Sequence, residues 1–427
     1  MLKIMFRCLS CLLAFLSALI LIDHTPLILI VPKVIVQSLT PFITVVGWVG
    51  ALIALSRRDR KALAANLFAS LVSLRYIIRV TASHDSFERA FGPNWRLRIA
   101  PELEPRMLPS RWNFVRGDPP DVRWHRDVAV STIPDADEPL LADIWEPMPD
   151  VPRTALAIIY LHGGAWYFGD KDMLTRPFFR HLAGQGHVIV DLAYTRAPEA
   201  RLHGQVADVK RAIAWMKTNA HQYGVNPERV VLMGASAGGH LALLSAYTSD
   251  HPAFQVDDVQ GDTSVHAVVS YYGIADLTLS YYQWQARFSD VWTNKSPVGR
   301  FLIKVVGVLG RGRRWFPRHG DPMMPYQSPI GLTGGTPEEV PEIYRLGSPL
   351  THVGAHCPPT LLLQGAHDIG IETAVKHLHL ALCKSGLPSV YVEYPNTEHG
   401  FDLVFPKHSP VAQSATYDTE RFLALMI

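Results

Sequence analysis

The sequence predicts an α/β protein with a mostly parallel central sheet, preceded by apolar helices, and three observations carry that prediction. Short apolar segments alternate with helical stretches from residue 123 onward, the pattern of strands buried on both faces of a sheet. One of them, residues 229–233, runs into Gly234-Ala235-Ser236-Ala237-Gly238 and then a helical segment over 239–246, so a strand turns sharply into a helix. The first 55 residues are overwhelmingly apolar.

The chain has 427 residues, which suits one large domain with additions. Its 40 basic and 38 acidic side chains leave a formal net charge of +2, so no basic excess points to nucleic acid. Cys8 and Cys11 lie in an apolar run and Cys357 and Cys383 far from each other; they read as free thiols rather than a disulfide framework. No cluster stands at metal-ligand spacing, and no cofactor is expected.

At the N-terminus, runs over 4–22 and 34–55 are each close to the roughly 20 residues that cross hydrocarbon. Two transmembrane helices within 1–55 are expected, with Asp23-His24 and Pro32-Lys33 punctuating a short connection. Lys3 and Arg7 also fit a signal peptide, but no small-x-small cleavage site precedes Asp23 and a second apolar run follows. Arg57, Arg58, Arg60 and Lys61 follow the second run. The positive-inside rule then places that end, and the body after it, on the cytoplasmic side of the cell membrane. Residues 62–80 are apolar enough for a third helix, although Arg75 and Arg79 suit an amphipathic helix at the interface. A third crossing puts the body on the opposite side. Residues 56–122 read as an amphipathic and irregular linker, rich in Pro and Trp after His84.

The body, 123–427, opens with a strand pair over 125–130 and 140–145, joined by Pro134-Asp135-Ala136-Asp137. Strands follow at 155–161 and 187–192, with helical character over 171–184 between them. Residues 205–220 form a helix whose apolar face holds Val206, Val209, Ile213 and Met216. After the Ser236 turn come strands at 266–271, 360–364 and 389–394, and a helix over 372–385. Residues 276–344 interrupt this alternation with aromatics, Arg and Gly around an apolar-basic unit at 301–316. They read as an insertion suited to a lid, to a membrane contact, or simply to a packed helical unit.

The Gly234-x-Ser236-x-Gly238 turn exposes a hydroxyl at a helix start, where the Ala237 amide can donate to an anionic oxygen. Gly234 and Gly238 are its structural supports. His162-Gly163-Gly164-Ala165-Trp166 follows the strand at 155–161, and its glycines allow amides to converge on one point. Gly163, Gly164 and Ala237 are therefore the expected oxyanion hole, with His162 a structural member of the turn. His399, in EYPNTEHGF, is the expected general base, and Gly400 lets the chain turn behind it. His352, His377, His379 and His408 read as surface or packing residues. Asp368, in LLLQGAHD at the end of an apolar strand, is the expected acid. Asp402 is its rival, and Glu393 and Glu398 lie nearer the base in sequence.

Ser236, Asp368 and His399 thus follow the Ser, Asp, His order of one hydrolase template. With YLHGGAWYFGD, DLAYTRAPEA, GASAGGHLALL, GAHD and EHGF, residues 123–405 closely resemble the hormone-sensitive-lipase-like and carboxylesterase branch of the alpha/beta-hydrolases. They also resemble membrane-anchored isoprenylcysteine methylesterases and actinobacterial lipases and esterases. Thr195 and Ala235 depart from the commonest forms of that branch, which suggests a more distant esterase group. The resemblance implies an alpha/beta-hydrolase fold and a membrane-associated serine carboxylic ester hydrolase acting through an acyl-enzyme. Its expected partners are an acyl ester or lipid-like substrate and the bilayer. Amide hydrolysis, as by an arylformamidase or peptidase, uses the same constellation, and a noncatalytic membrane scaffold with this fold stands further off.

Overall fold

Eight strands form one sheet within residues 2–133, 138–288 and 328–427, which the computed structural model describes. They are β1 (Arg123–Ile133), β2 (Glu138–Glu146), β3 (Ala157–Leu161), β4 (Val188–Leu192), β5 (Val230–Ala235), β6 (Ala267–Tyr271), β7 (Thr360–Gly365) and β8 (Ser389–Tyr394). Their order is β1-β2-β4-β3-β5-β6-β7-β8. β1, β2 and β4 pair antiparallel, and the pairs from β4 through β3 to β8 are parallel. The residues of β3, β4, β5, β6 and β7 are buried throughout, which is why these strands read as continuous apolar runs. Parallel pairing sends the carboxyl ends of β3, β5, β7 and β8 to one edge, and the loops after them meet there.

The N-terminal 80 residues form helices α1 (Leu2–Ala18), α2 (Leu27–Ser38), α3 (Thr40–Ser56) and α4 (Arg60–Val80). The single helix expected over 34–55 is two, α2 and α3, meeting at 71°. The cause is local: Pro41 has no N–H to give the Gln37 carbonyl, which instead accepts from Thr40 Oγ1 at 2.8 Å. Pro32 and Lys33, expected in a connection, lie inside α2. Lys3–Leu21 and Arg60–Val80 are each long and apolar enough to cross a membrane, and the bent α2–α3 pair passes the same test jointly. The segment over 62–80 is therefore a second candidate span as well as an amphipathic surface.

α1, α3 and α4 run up, down and up. At one end Arg7 Nε meets Asp59 Oδ2 at 2.6 Å, and the Arg57 guanidinium lies 5.5 Å from the Phe6 ring centroid. α3 and α4 approach closely enough that a Cβ on Gly50 would lie 2.4 Å from Asn66 Oδ1, so a small residue is required where the two helices meet. Ile4, Leu12, Val45, Leu52 and Leu71 face outward, leaving an apolar outer surface. At its other end the bundle meets the body, where Tyr76 of α4 lies 3.1 Å from Thr397 Oγ1.

Around the sheet pack α5 (Ser86–Phe91), α6 (Arg176–Gly184), α7 (Leu202–Thr218), α8 (Ala237–Tyr247), α9 (Leu277–Phe288), α10 (Ser328–Thr333), α11 (Pro341–Leu346), α12 (Glu372–Lys384) and α13 (Pro410–Ala424). The helix expected from 171 begins at Arg176, because Asp172 and Leu174 hold φ of 64° and 63° and break the helical run. α13 has no counterpart in the sequence reading: most of its residues are buried, so it lacks the two-faced pattern that marks a surface helix. Of the insertion at 276–344, α9, α10 and α11 are described; the apolar-basic unit at 301–316 lies outside the described residues, as does the connection at 134–137.

Candidate active site

β5 ends in a turn that puts Ser236 at φ 55° and ψ −120°, immediately before α8. That backbone is disfavoured for a residue with a Cβ and persists only where its surroundings over-determine it. Ser236 N–H donates to Tyr271 O at 2.9 Å, which ties the turn to β6. A Cβ on Gly238 would lie 2.0 Å from Leu161 O. Only glycine lets the first turn of α8 touch the end of β3.

His399, in the loop after β8, has Nε2 2.9 Å from Ser236 Oγ. Its Nδ1 lies 2.8 Å from Asp368 Oδ1, in the loop after β7. With Nδ1 protonated and donating to the carboxylate, Nε2 is left to accept the Ser236 hydroxyl proton. Asp368 is buried; it also accepts from Gln364 Nε2 and from the Ile369 amide, each at 2.6 Å. These bonds fix the carboxylate and satisfy a charge that burial alone disfavours.

The rival carboxylates face elsewhere. Asp402 is half-buried, accepts from the Tyr272 hydroxyl, and has its pKa raised, chiefly by desolvation. Glu393 pairs with Lys376 at 2.7 Å, and Glu398 pairs with Lys33 at 2.7 Å. Among the other histidines, His377 is exposed. His352 Nε2 donates to Leu346 O at 2.7 Å, and His379 meets Ser389 Oγ at 2.9 Å. His408 lies against the Phe42 ring of α3.

The glycine loop after β3 borders the same space. Gly164 holds φ 127°, and a Cβ there would lie 1.8 Å from Phe168 O, so the turn requires glycine. His162 is buried, its Nδ1–H donating to Gly163 O at 2.7 Å, and its ring stacks on Tyr194 with centroids 4.3 Å apart. Burial lowers its pKa to about 4, so the ring is neutral at pH 7 and serves the turn. Gly163, Gly164, Ser236 and His399 line a cavity of about 230 Å³, walled by Phe168, Met173, Trp284, Ile369 and Leu403. It is an apolar chamber with a hydroxyl and an imidazole at its floor.

Two supports escaped the sequence reading. His240, on α8, accepts from Trp166 Nε1 at 3.0 Å and donates through Nε2 to Gly347 O at 2.7 Å. It thus ties the glycine loop to the segment returning from the insertion, and burial lowers its pKa to about 4, which keeps one nitrogen an acceptor. The Tyr194-Thr195-Arg196-Ala197-Pro198 segment holds the same loop three times. Tyr194 Oη donates to His162 O at 3.0 Å, Arg196 Nη1 to Gly169 O at 2.6 Å, and Ala197 N to Trp166 O at 2.9 Å. The motif was visible in the sequence, but its partners were not.

Comparison with known proteins bears on this geometry. A family model described as BD-FAE matches residues 142–304. Esterase LipC of Mycobacterium tuberculosis is 30% identical over 309 residues, covering 71% of this chain and 68% of its own length. "Probable carboxylic ester hydrolase LipM" of the same organism is 32% identical over 285 residues and 66% of this chain, which spans only 57% of that relative's length. Among solved structures, esterase B from Lactobacillus rhamnosis superposes with a TM-score of 0.51 at 21% identity, over 73% of this chain and 88% of its own. An esterase from Thermogutta terrifontis gives a TM-score of 0.50 at 20% identity, over 71% of this chain and 91% of its own. At such identities these structures speak for the fold alone.

Proposed function

Since the chain belongs to the esterase/lipase family of alpha/beta-hydrolases, we propose that it is a membrane-associated serine carboxylic ester hydrolase with 123–427 as its catalytic domain. The observation that carries this reading is the unbroken chain from Ser236 Oγ through His399 to the buried Asp368 carboxylate. Ser236 Oγ attacks the ester carbonyl as its proton passes to His399 Nε2. The negative charge on the former carbonyl oxygen is met by the amides of Gly163, Gly164 and Ala237. Collapse breaks the acyl–oxygen bond, and His399 returns the proton to the departing alkoxide. A water then gives its proton to His399 and attacks the acyl-enzyme, releasing the acid and restoring Ser236. No cofactor enters these steps. The apolar chamber suits an acyl chain, and Trp284 of α9 in its wall supports the reading of 276–344 as an insertion that encloses substrate.

Purified full-length protein should hydrolyse p-nitrophenyl acyl esters and, after a fluorophosphonate, carry the adduct on Ser236 by peptide mass mapping. A folded preparation that does neither would sink the enzyme reading. Hydrolysis of anilides in preference to the matching esters would move it to amide chemistry.

Orientation follows from how the helices are counted. Two spans put the domain in the cytoplasm, as the sequence suggests. The up-down-up course of α1, α3 and α4 favours the other side, because Lys3, Arg7, Arg57, Arg58, Arg60 and Lys61 belong to one end of the bundle and the body meets the other. In this arrangement α2 lies at the interface. Cys383 is exposed on α12 and Cys357 is buried, so a Cys8→Ser/Cys11→Ser variant presents one accessible thiol on the domain. A membrane-impermeant maleimide should label it in right-side-out vesicles without detergent; labelling only in inverted vesicles would restore the cytoplasmic reading.

A further inference from the structure

Lys33 is a fully buried cation on a helix that the sequence presents as hydrophobic. Its ammonium donates to Glu398 Oε1 at 2.7 Å, to Ile22 O at 2.5 Å and to Thr25 Oγ1 at 3.1 Å, and lies 3.1 Å from His367 Nδ1. Glu398 directly precedes His399, and His367 directly precedes Asp368. One N-terminal side chain therefore touches the neighbours of both the base and the acid.

Other contacts close the same clamp. Gln37 Nε2 of α2 donates to Asn396 O, Arg79 Nη1 of α4 to Asn396 Oδ1 at 2.7 Å, and Tyr76 meets Thr397. His367 N donates to Thr397 O at 2.9 Å, joining the two loops. A buried ion pair is a weak source of stability, because desolvation offsets the attraction, but it demands one geometry. Burial and the nearby Lys33 charge lower the His367 pKa, and the ring packs beside the ammonium, whose three N–H bonds go to Glu398, Ile22 and Thr25.

We propose that the N-terminal helices are positioning elements of the active site, with Lys33 fixing the loop that carries His399 through its ion pair to Glu398. This rests on the reading of Ser236, Asp368 and His399 as the reacting groups. The helices on this account anchor the protein and also hold its general base in line with the nucleophile, so that loss of the Lys33 contact from α2 costs turnover even where α1, α3 and α4 keep the protein at the membrane.

The test uses the full chain in detergent, with active sites counted by fluorophosphonate titration. Lys33→Met should lower kcat per titrated site about 10- to 100-fold with KM within about twofold, the signature of a displaced base rather than a damaged acyl site. Glu398→Gln, which keeps an acceptor for Lys33 but removes the charge, should give a smaller fall and serves where Lys33→Met yields no folded sites. The rate of Ser236 phosphonylation should fall in parallel. That rate reads the same alignment without an ester, so a wild type that labels but leaves esters intact defeats the functional reading and still tests this one. Both variants turning over and labelling at the wild-type rate per site, with only a lower thermal midpoint, would overturn the proposal and leave the pair a structural tether.

Discussion

Ser236→Ala should lower kcat on a p-nitrophenyl acyl ester about 10⁴- to 10⁶-fold while KM changes little. The substitution removes the attacking oxygen and leaves the apolar chamber, the glycine loop and the start of α8 in place. On the proposed mechanism, what should remain is transition-state binding by the backbone amides acting on water, giving a residual rate above the uncatalysed one. A loss of that size corresponds to roughly 5–8 kcal/mol of barrier, more than any packing change at a single hydroxyl produces. The fold should survive, since Ser236 Oγ is engaged with His399 and the turn is held through its backbone bond to Tyr271. The measurement is steady-state hydrolysis beside circular dichroism of both proteins, and a variant that keeps activity within tenfold would remove Ser236 from the chemistry.

Asp368→Asn should cost about 10⁴-fold in kcat, whereas Asp402→Asn should cost less than about tenfold. Asp368 accepts a hydrogen bond from His399 Nδ1–H, which on the proposed mechanism holds the tautomer whose Nε2 takes a proton from Ser236 and stabilises the resulting imidazolium. An amide of the same shape carries no charge and can present N–H where an acceptor is needed. Asp402 meets the Tyr272 hydroxyl instead, while His399 Nδ1 is already engaged by Asp368, so Asp402 makes no hydrogen bond to the imidazole. Measuring both variants with one substrate at one pH decides between the two carboxylates, and the reverse order of effects would assign the acid to Asp402.

The features legible in the sequence are those encoded by neighbours in the chain. The Ser236 turn announces itself through Gly234 and Gly238, and β3 to β8 through apolar runs punctuated by Gly and Pro. His399 and Asp368 were reached by their order along the chain and by the strands they follow. What stayed hidden depends on partners far away in sequence. His240 looks like any residue of a helix until Trp166 and Gly347 are seen on its two nitrogens. Lys33 looked like a break between two spans because its counter-charge, Glu398, lies more than three hundred residues on. The bend between α2 and α3 was a different failure: Pro41 was in plain view, but uniform hydrophobicity masked the single missing donor. α13 was missed because burial on nearly every side erased the periodicity that reveals a helix.

The contact between Gly238 and the carbonyl of Leu161 fuses the serine turn and the glycine loop into one inflexible block, while the walls of the chamber come from Phe168, Met173, Trp284, Ile369 and Leu403 on loops and the insertion. The serine turn with its hydrogen-bond partners and the residues that shape the chamber therefore lie on different parts of the chain. Replacing a wall residue reshapes the chamber and leaves the Ser236–His399–Asp368 hydrogen bonds in place, whereas any side chain at position 238 would collide with the Leu161 carbonyl.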